Sequence, residues 1–326
     1  MQKEYVEEYR KIGGIEQYLL HYPVKDAPVL LMLHGGPGSA ESGLSYLFHQ
    51  WWRKKVTLVQ YDQRGCGKTL RRNPDTSAYP VSTETMLSDL GEIVAYLKEK
   101  YHQEKIVLMG HSWGTVLGAV YAGRHPEDVS LYIAVGQVVS MQENERTGFQ
   151  KALEMAEKAG NRKDVEKLRG IGEYPPQTAD KAGIKKINSV RKLQQKYGLS
   201  MGLSPELVRV FSKSPVFHLS DAYIMLFKAG KASQPLLEEL LHFDLETAIT
   251  GFDIPVCCIQ GDRDYQTATP LATAYYETVR APARQIHVIP DAGHAPMMDQ
   301  KERFADALEA ALGMLNERAD GAAAYL

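Results

Sequence analysis

Cysteine is scarce in this chain of 326 residues: only Cys66, Cys257 and Cys258 occur. Three thiols exclude a disulfide framework, and the adjacent pair lies inside the apolar run IPVCCIQ, where thiols serve as small apolar fillers. An excess of one charge is missing too. Lys and Arg number 38 against 40 Asp and Glu, for a formal net charge of -2, so no basic surplus recommends a nucleic-acid partner. Long apolar runs are absent: no stretch approaches the ~20 residues that span a bilayer. The opening MQKEYVEEYRK lacks the apolar centre of a signal peptide. A soluble, cytoplasmic protein with no membrane partner is the expectation. What is present is a globular composition, 44% hydrophobic and 24% charged, enough for one large domain or a core domain with an insertion.

Short apolar runs bounded by turn residues recur at 27–33 (APVLLML), 55–61 (KVTLVQY), 105–110 (KIVLMG) and 131–136 (LYIAVG). Each is too short for a typical helix and nearly unbroken in apolar character, as parallel strands covered on both faces require. Between them, Leu87, Leu90, Ile93, Val94 and Leu97 form one helical stripe. VEEYRKI and IEQYLLHY, joined by Gly13 and Gly14, predict an antiparallel hairpin. Strand signals vanish between about 140 and 249 and return at IPVCCIQ (254–260) and RQIHVIP (284–290), with a final helix over about 301–316. The pattern predicts a doubly wound, mostly parallel sheet. Residues 1–139 and 250–326 would form its two parts, and 140–249 an inserted all-helical cap.

GHSWG (110–114) follows one of these strands and precedes a helix of small residues. Gly-x-Ser-x-Gly in that setting places a serine hydroxyl on a sharp strand-to-helix turn, with glycines where β-carbons would collide. Ser112 is therefore the candidate nucleophile, and His111 reads as the variable residue of the turn. A serine needs a base. His294, in PDAGHAPMM just after a strand, supplies one, and GDRD (261–264) after the preceding strand supplies the acid. Asp264 is preferred over Asp262, which reads as a loop cap. The order Ser, Asp, His is that of the α/β-hydrolase triad.

HGGPG (34–38) could instead suggest phosphate binding, but a dinucleotide fingerprint begun at Gly36 meets Glu41 where its third glycine belongs. The GKT ending of DQRGCGKT (62–69) imitates a phosphate loop whose first glycine would fall on Asp62. An α/β-hydrolase needs a backbone amide from this first loop as half of its oxyanion hole, and Gly35 and Gly36 suit that role.

HGGPG, DQRGCGKT, GHSWG, GDRD and the Gly293–His294 pair together resemble the prolyl aminopeptidase (proline iminopeptidase) family of α/β-hydrolases. The resemblance covers the whole catalytic domain in order. It implies a Ser112–Asp264–His294 triad under a helical cap, with the Gly36 and Trp113 amides in the oxyanion hole. It also implies release of an N-terminal proline or other small residue from short peptides, with no metal or cofactor. Family members bind the substrate's α-amine with acidic residues, some from the cap, and one branch carries a Trp-Glu pair there. Here the tryptophans are Trp51, Trp52 and Trp113, none within 140–249. Glu143, Glu145, Glu173 and Asp221 are among the acids available, and each reads as a solvated charge. A carboxylesterase or lactonase on the same scaffold is the alternative, and a non-catalytic binding protein the more distant one.

Overall fold

Gly13 and Gly14, both at positive φ, turn the chain between β1 (Val6–Ile12) and β2 (Ile15–Tyr22) of the computed structural model, which describes residues 4–202 and 205–323. Two-residue turns of this kind match the right-handed twist of paired strands. β1 and β2 pair antiparallel with Ile12 opposite Ile15. β2 then joins β4 (Thr57–Tyr61), also antiparallel. The remaining strands are parallel: β3 (Val29–Leu33), β5 (Ile106–His111), β6 (Val129–Val135), β7 (Val256–Gly261) and β8 (Arg284–Ile289). The order across the eight-stranded sheet is β1-β2-β4-β3-β5-β6-β7-β8.

Every residue of β3, β4, β5 and β7 is buried, as their nearly unbroken apolar runs require. β8 differs. It is an edge strand and only Ile289 within it is buried, which explains why RQIHVI tolerates charge. Apolar layers cover both faces of the sheet. On one, Leu31, Leu33 and Leu108 pack on Leu90, Ile93 and Leu97 of the helix Thr83–Tyr101. On the other, Leu30, Met32 and Met109 share a cluster with Trp52, Phe304 and Leu308. Ser82 caps the first of these helices by accepting the Thr85 amide at 3.2 Å. Cys257 and Cys258 are buried and unbonded to each other, and burial pushes the Cys257 thiol up to about 12, so both act as small apolar side chains.

Between β6 and β7 the chain makes a helical excursion that includes Met141–Lys158, Lys181–Lys196, Leu219–Phe227 and Gln234–Leu241. It leaves and returns through one neck. Ser140 bridges Asp244 in antiparallel fashion, the Met141 amide donates to Phe243 O at 3.1 Å, and the Leu245 amide donates to Val139 O at 2.7 Å. Ala152, Ala156, Leu168 and Val190 give the excursion a small apolar core of its own. Among the described residues, no helix is long and apolar enough to cross a membrane.

Candidate active site

The carboxyl ends of β3, β5, β7 and β8 meet at one rim, and the sequence motifs sit there. Ser112 follows β5 and precedes the helix Trp113–Arg124, with φ 53° and ψ -121°. A non-glycine residue in such a conformation costs about 1–3 kcal/mol unless its surroundings over-determine it. They do so here. The Ser112 amide donates to Val135 O at 2.9 Å, and Ser112 O accepts the Thr115 amide at 2.8 Å and its hydroxyl at 2.6 Å. A β-carbon on Gly110 would lie 2.5 Å from Gly114 O, and one on Gly114 would lie 2.2 Å from Leu33 O. Close backbone approach, rather than loop freedom, fixes both glycines.

Asp264, fully buried after β7, accepts four hydrogen bonds: the amides of Gln266 (2.9 Å) and Thr267 (3.0 Å), the Thr267 hydroxyl (2.8 Å) and His294 Nδ1 (2.8 Å). Burial alone would raise the Asp264 pKa, but His294 and the Thr267 donors hold it below the usual carboxylate range. With Nδ1–H given to the carboxylate, His294 Nε2 is left as an acceptor. It is buried and has no hydrogen-bond partner among the described residues. Asp262 is placed elsewhere, its Oδ1 accepting the Ala292 amide at 3.2 Å and so shaping the loop that carries His294.

Two cavities flank Ser112. One, of about 200 Å³, is lined by Gly36, Ser112 and Trp113 together with apolar residues of the excursion such as Ile187 and Leu240. Trp113 is the first residue of its helix, so its amide has no intrahelical acceptor. The other cavity, of about 350 Å³, is lined by Glu41, His111, Ser112, His294 and the excursion residues Met225 and Leu226. The HGGPG loop lies tight on the elbow: a β-carbon on Gly35 would come 3.0 Å from Glu41 Oε1 and 3.1 Å from Ser112 Cβ. Gln63 of the DQRG loop ties these parts together. Its Nε2 donates to His34 O at 3.0 Å, and its Oε1 accepts the Trp113 indole N–H at 3.1 Å. Lys68, the lysine of the imitation phosphate loop, is buried and bonded to Asp221 at 2.7 Å.

Three readings from sequence are corrected. His111 is no passive spacer: it is buried, with Nδ1 2.7 Å from Glu41 Oε1 and Nε2 2.9 Å from His294 O. Glu145 and Asp221 are not solvated. Glu145 is buried against Arg191 and Tyr174, and Asp221 is buried against Lys68 and Arg71. Glu143 and Glu173 are exposed as expected. No local pattern marks the buried acids, because each partner lies on a different element.

The fold and the rim define an α/β-hydrolase. Residues 28–164 match the family described as alpha/beta hydrolase fold. Within that class the chain is similar to sequences named as an aminopeptidase or iminopeptidase. It is 24% identical over 301 residues to a Bacillus subtilis protein named as a probable aminopeptidase, covering 91% of this chain and 93% of the relative. To a proline iminopeptidase of Heyndrickxia coagulans it is 25% identical over 278 residues, 84% of this chain and 87% of that one. The crystal structure of proline iminopeptidase from Mycobacterium smegmatis superposes with a TM-score of 0.67 at 18% identity, covering 96% of this chain and 100% of the other.

Proposed function

We propose that the protein is a serine hydrolase in which Ser112, His294 and Asp264 act as a triad, cleaving short peptides after a small N-terminal residue. The observation that carries the triad is the state of His294: Nδ1 is engaged by Asp264 at 2.8 Å while the buried Nε2 is unpartnered, in a ring that lines the same cavity as Ser112. In this reading Nε2 takes the Ser112 hydroxyl proton as Oγ attacks the carbonyl carbon, and Asp264 steadies the imidazolium. The amides of Gly36 and Trp113 receive the developing oxyanion, where preorganised donors contribute most. The tetrahedral species collapses, the imidazolium gives its proton to the leaving amine, and an acyl-Ser112 remains. Water, deprotonated by the same nitrogen, then releases the acid. The helical excursion forms a cap that walls both cavities and limits substrate size.

The named relatives support the peptide. One observation favours a second reading, hydrolysis of a small neutral ester or lactone. Among the described residues lining either cavity Glu41 is the one carboxylate, and His111 already pairs with it. Prolyl and alanyl arylamides, their N-acetyl forms and butyrate esters separate the two. A site that pairs the substrate ammonium with a carboxylate loses about 2–5 kcal/mol on acetylation, roughly 30- to 5,000-fold in kcat/KM. The peptidase reading expects that loss, whereas equal cleavage of both forms, or of esters alone, selects the second reading. Ser112→Ala should abolish turnover and fluorophosphonate labelling in either case, and labelling that survived it would overturn the triad.

A further inference from the structure

The hydrogen bonds of His111 fix its charge. Nδ1 faces Glu41 Oε1 at 2.7 Å and Nε2 faces the backbone carbonyl of His294 at 2.9 Å. A carbonyl oxygen can only accept, so Nε2 must carry a proton. A protonated Glu41 donating to Nδ1 would leave the ring neutral. That arrangement would ask the same Oε1 to accept the Gly35 amide at 3.1 Å while acting as a hydroxyl, which is the poorer acceptor. The carboxylate form satisfies all three contacts. His34, at the end of the neighbouring strand, makes the contrast. Its Nδ1 lies 2.8 Å from Gly35 O and its Nε2 accepts the Gln63 amide at 3.0 Å, a pattern met by one neutral tautomer.

We infer that His111 is a buried imidazolium which, with Glu41, positions the oxyanion loop and the His294 loop against each other. The connection is continuous: Gly35 N–H to Glu41 Oε1, Glu41 Oε1 to His111 Nδ1–H, and His111 Nε2–H to His294 O. One ring therefore joins the loop that presents the Gly36 amide to the loop that presents the base. Both residues are close to fully shielded, with side-chain exposures of 3% for His111 and 10% for Glu41. Neither touches the reacting atoms in the proposed mechanism, so both are positioning residues. The kinetic consequence rests on the reading of Ser112 and His294 as catalytic; the charge state does not.

The titratable groups facing His111 are Glu41 and His34 from the β3 side, His294 from the loop after β8 and Asp264 from the loop after β7. Burial alone would depress the His111 pKa, but the Glu41 carboxylate beside it, its hydrogen bond and the His294 carbonyl raise it above the ordinary histidine value. A raised folded pKa means that the stabilisation is complete below the unfolded value of about 6.5 and is lost as pH rises through the folded value. Deprotonation then leaves one proton for two acceptors, and one of the two loops is released.

The test uses the full chain labelled with ¹⁵N-histidine, its His111 resonances assigned by comparison with His111→Gln. Both His111 ring nitrogens should carry protons at about pH 7, above the ordinary titration point, and Glu41→Gln should bring the ring to a single proton there. Wild-type His111 carrying one proton at pH 7 would overturn the inference, whatever the activity data show. In kinetics, Glu41→Gln should lower kcat by about 10²-fold, the scale of a small misplacement of reacting groups. KM should change little, and the alkaline limb of the kcat profile should move to lower pH. A Glu41→Gln enzyme with unchanged kcat and an unmoved limb would sink the positioning role. If that variant does not fold, the wild-type spectrum still decides the charge. Inactivity of Ser112→Ala is a separate result that bears only on the triad.

Discussion

At the rim of the sheet, buried acids are held by backbone amides, hydroxyls and imidazoles. Asp264 has Gln266, Thr267 and His294, Glu41 has Gly35 and His111, and Asp62 has Ser42 and the Lys68 amide. In the helical excursion, buried acids add long cationic side chains: Glu145 has Arg191 beside the Tyr174 hydroxyl, and Asp221 has Lys68 and Arg71 beside the His218 amide. Both solutions satisfy the rule that buried charge must be paired, but they differ in stiffness. An amide or a packed ring holds an oxygen to a fraction of an ångström, whereas a lysine stem has several rotatable bonds. The rim is thereby suited to placing reacting groups, and the excursion to fastening helices onto the core. Asp221 shows the fastening directly, since its partners Lys68 and Arg71 belong to the core helix Gly67–Arg72. Substitutions at the rim should therefore be felt in kcat, and substitutions at the fastenings in stability.

The largest effect is expected at Asp264. Asp264→Asn should cost about 10⁴ in kcat, as loss of the carboxylate that orients a catalytic histidine has done in a comparable triad. Asp262→Asn should cost less than about tenfold, because it removes a loop contact to Ala292 and leaves the Asp264–His294 bond in place. Steady-state kinetics on one arylamide or ester checks both. A larger loss at Asp262 would break the distinction between placing and shaping within the rim itself.

A middle-sized effect is expected at the seam. Lys68→Met leaves Asp221 buried with the His218 amide and the partly exposed Arg71 as its remaining partners. Breaking a buried pair from one side costs about 3–5 kcal/mol, a fall in Tm of roughly 4–7 °C for a chain of this length. Thermal unfolding measures that loss, and kcat of the folded enzyme should stay within about threefold. A collapse of kcat at unchanged Tm would show that this contact positions chemistry after all.

The division between the two regions also explains what the sequence made legible. The elbow, the HGGPG loop and the strand ends announce themselves because their geometry is local. Gly110 and Gly114 must flank Ser112 within five residues, and β3 to β7 carry nearly unbroken apolar runs because both faces are covered. Glu41 and His111 lie 70 positions apart in the chain, and only the adjacency of β3 and β5 brings them together. Glu145 lies in a helix whose sequence, MQENERTGFQ, is mostly polar. Its burial depends on Arg191 and Tyr174 arriving from elsewhere, and no helical period could announce that.

The smallest effect is expected where the excursion carries an ion pair in the open. Arg169 and Glu157 lie 2.9 Å apart, but their side chains are 67% and 48% exposed. In water the Coulombic gain is offset by the side-chain entropy of holding two long groups together, so such pairs contribute about 0–1 kcal/mol. Arg169→Gln should therefore move Tm by less than about 2 °C, and the difference should shrink further in about 1 M salt, where the screening length falls to about 3 Å. Set beside Lys68→Met, this substitution asks whether burial, rather than membership of the excursion, decides how strongly a pair fastens the helices. Comparable Tm losses in the two variants would show that it does not, and would remove the physical basis for separating the fastenings from the remaining charges of the excursion.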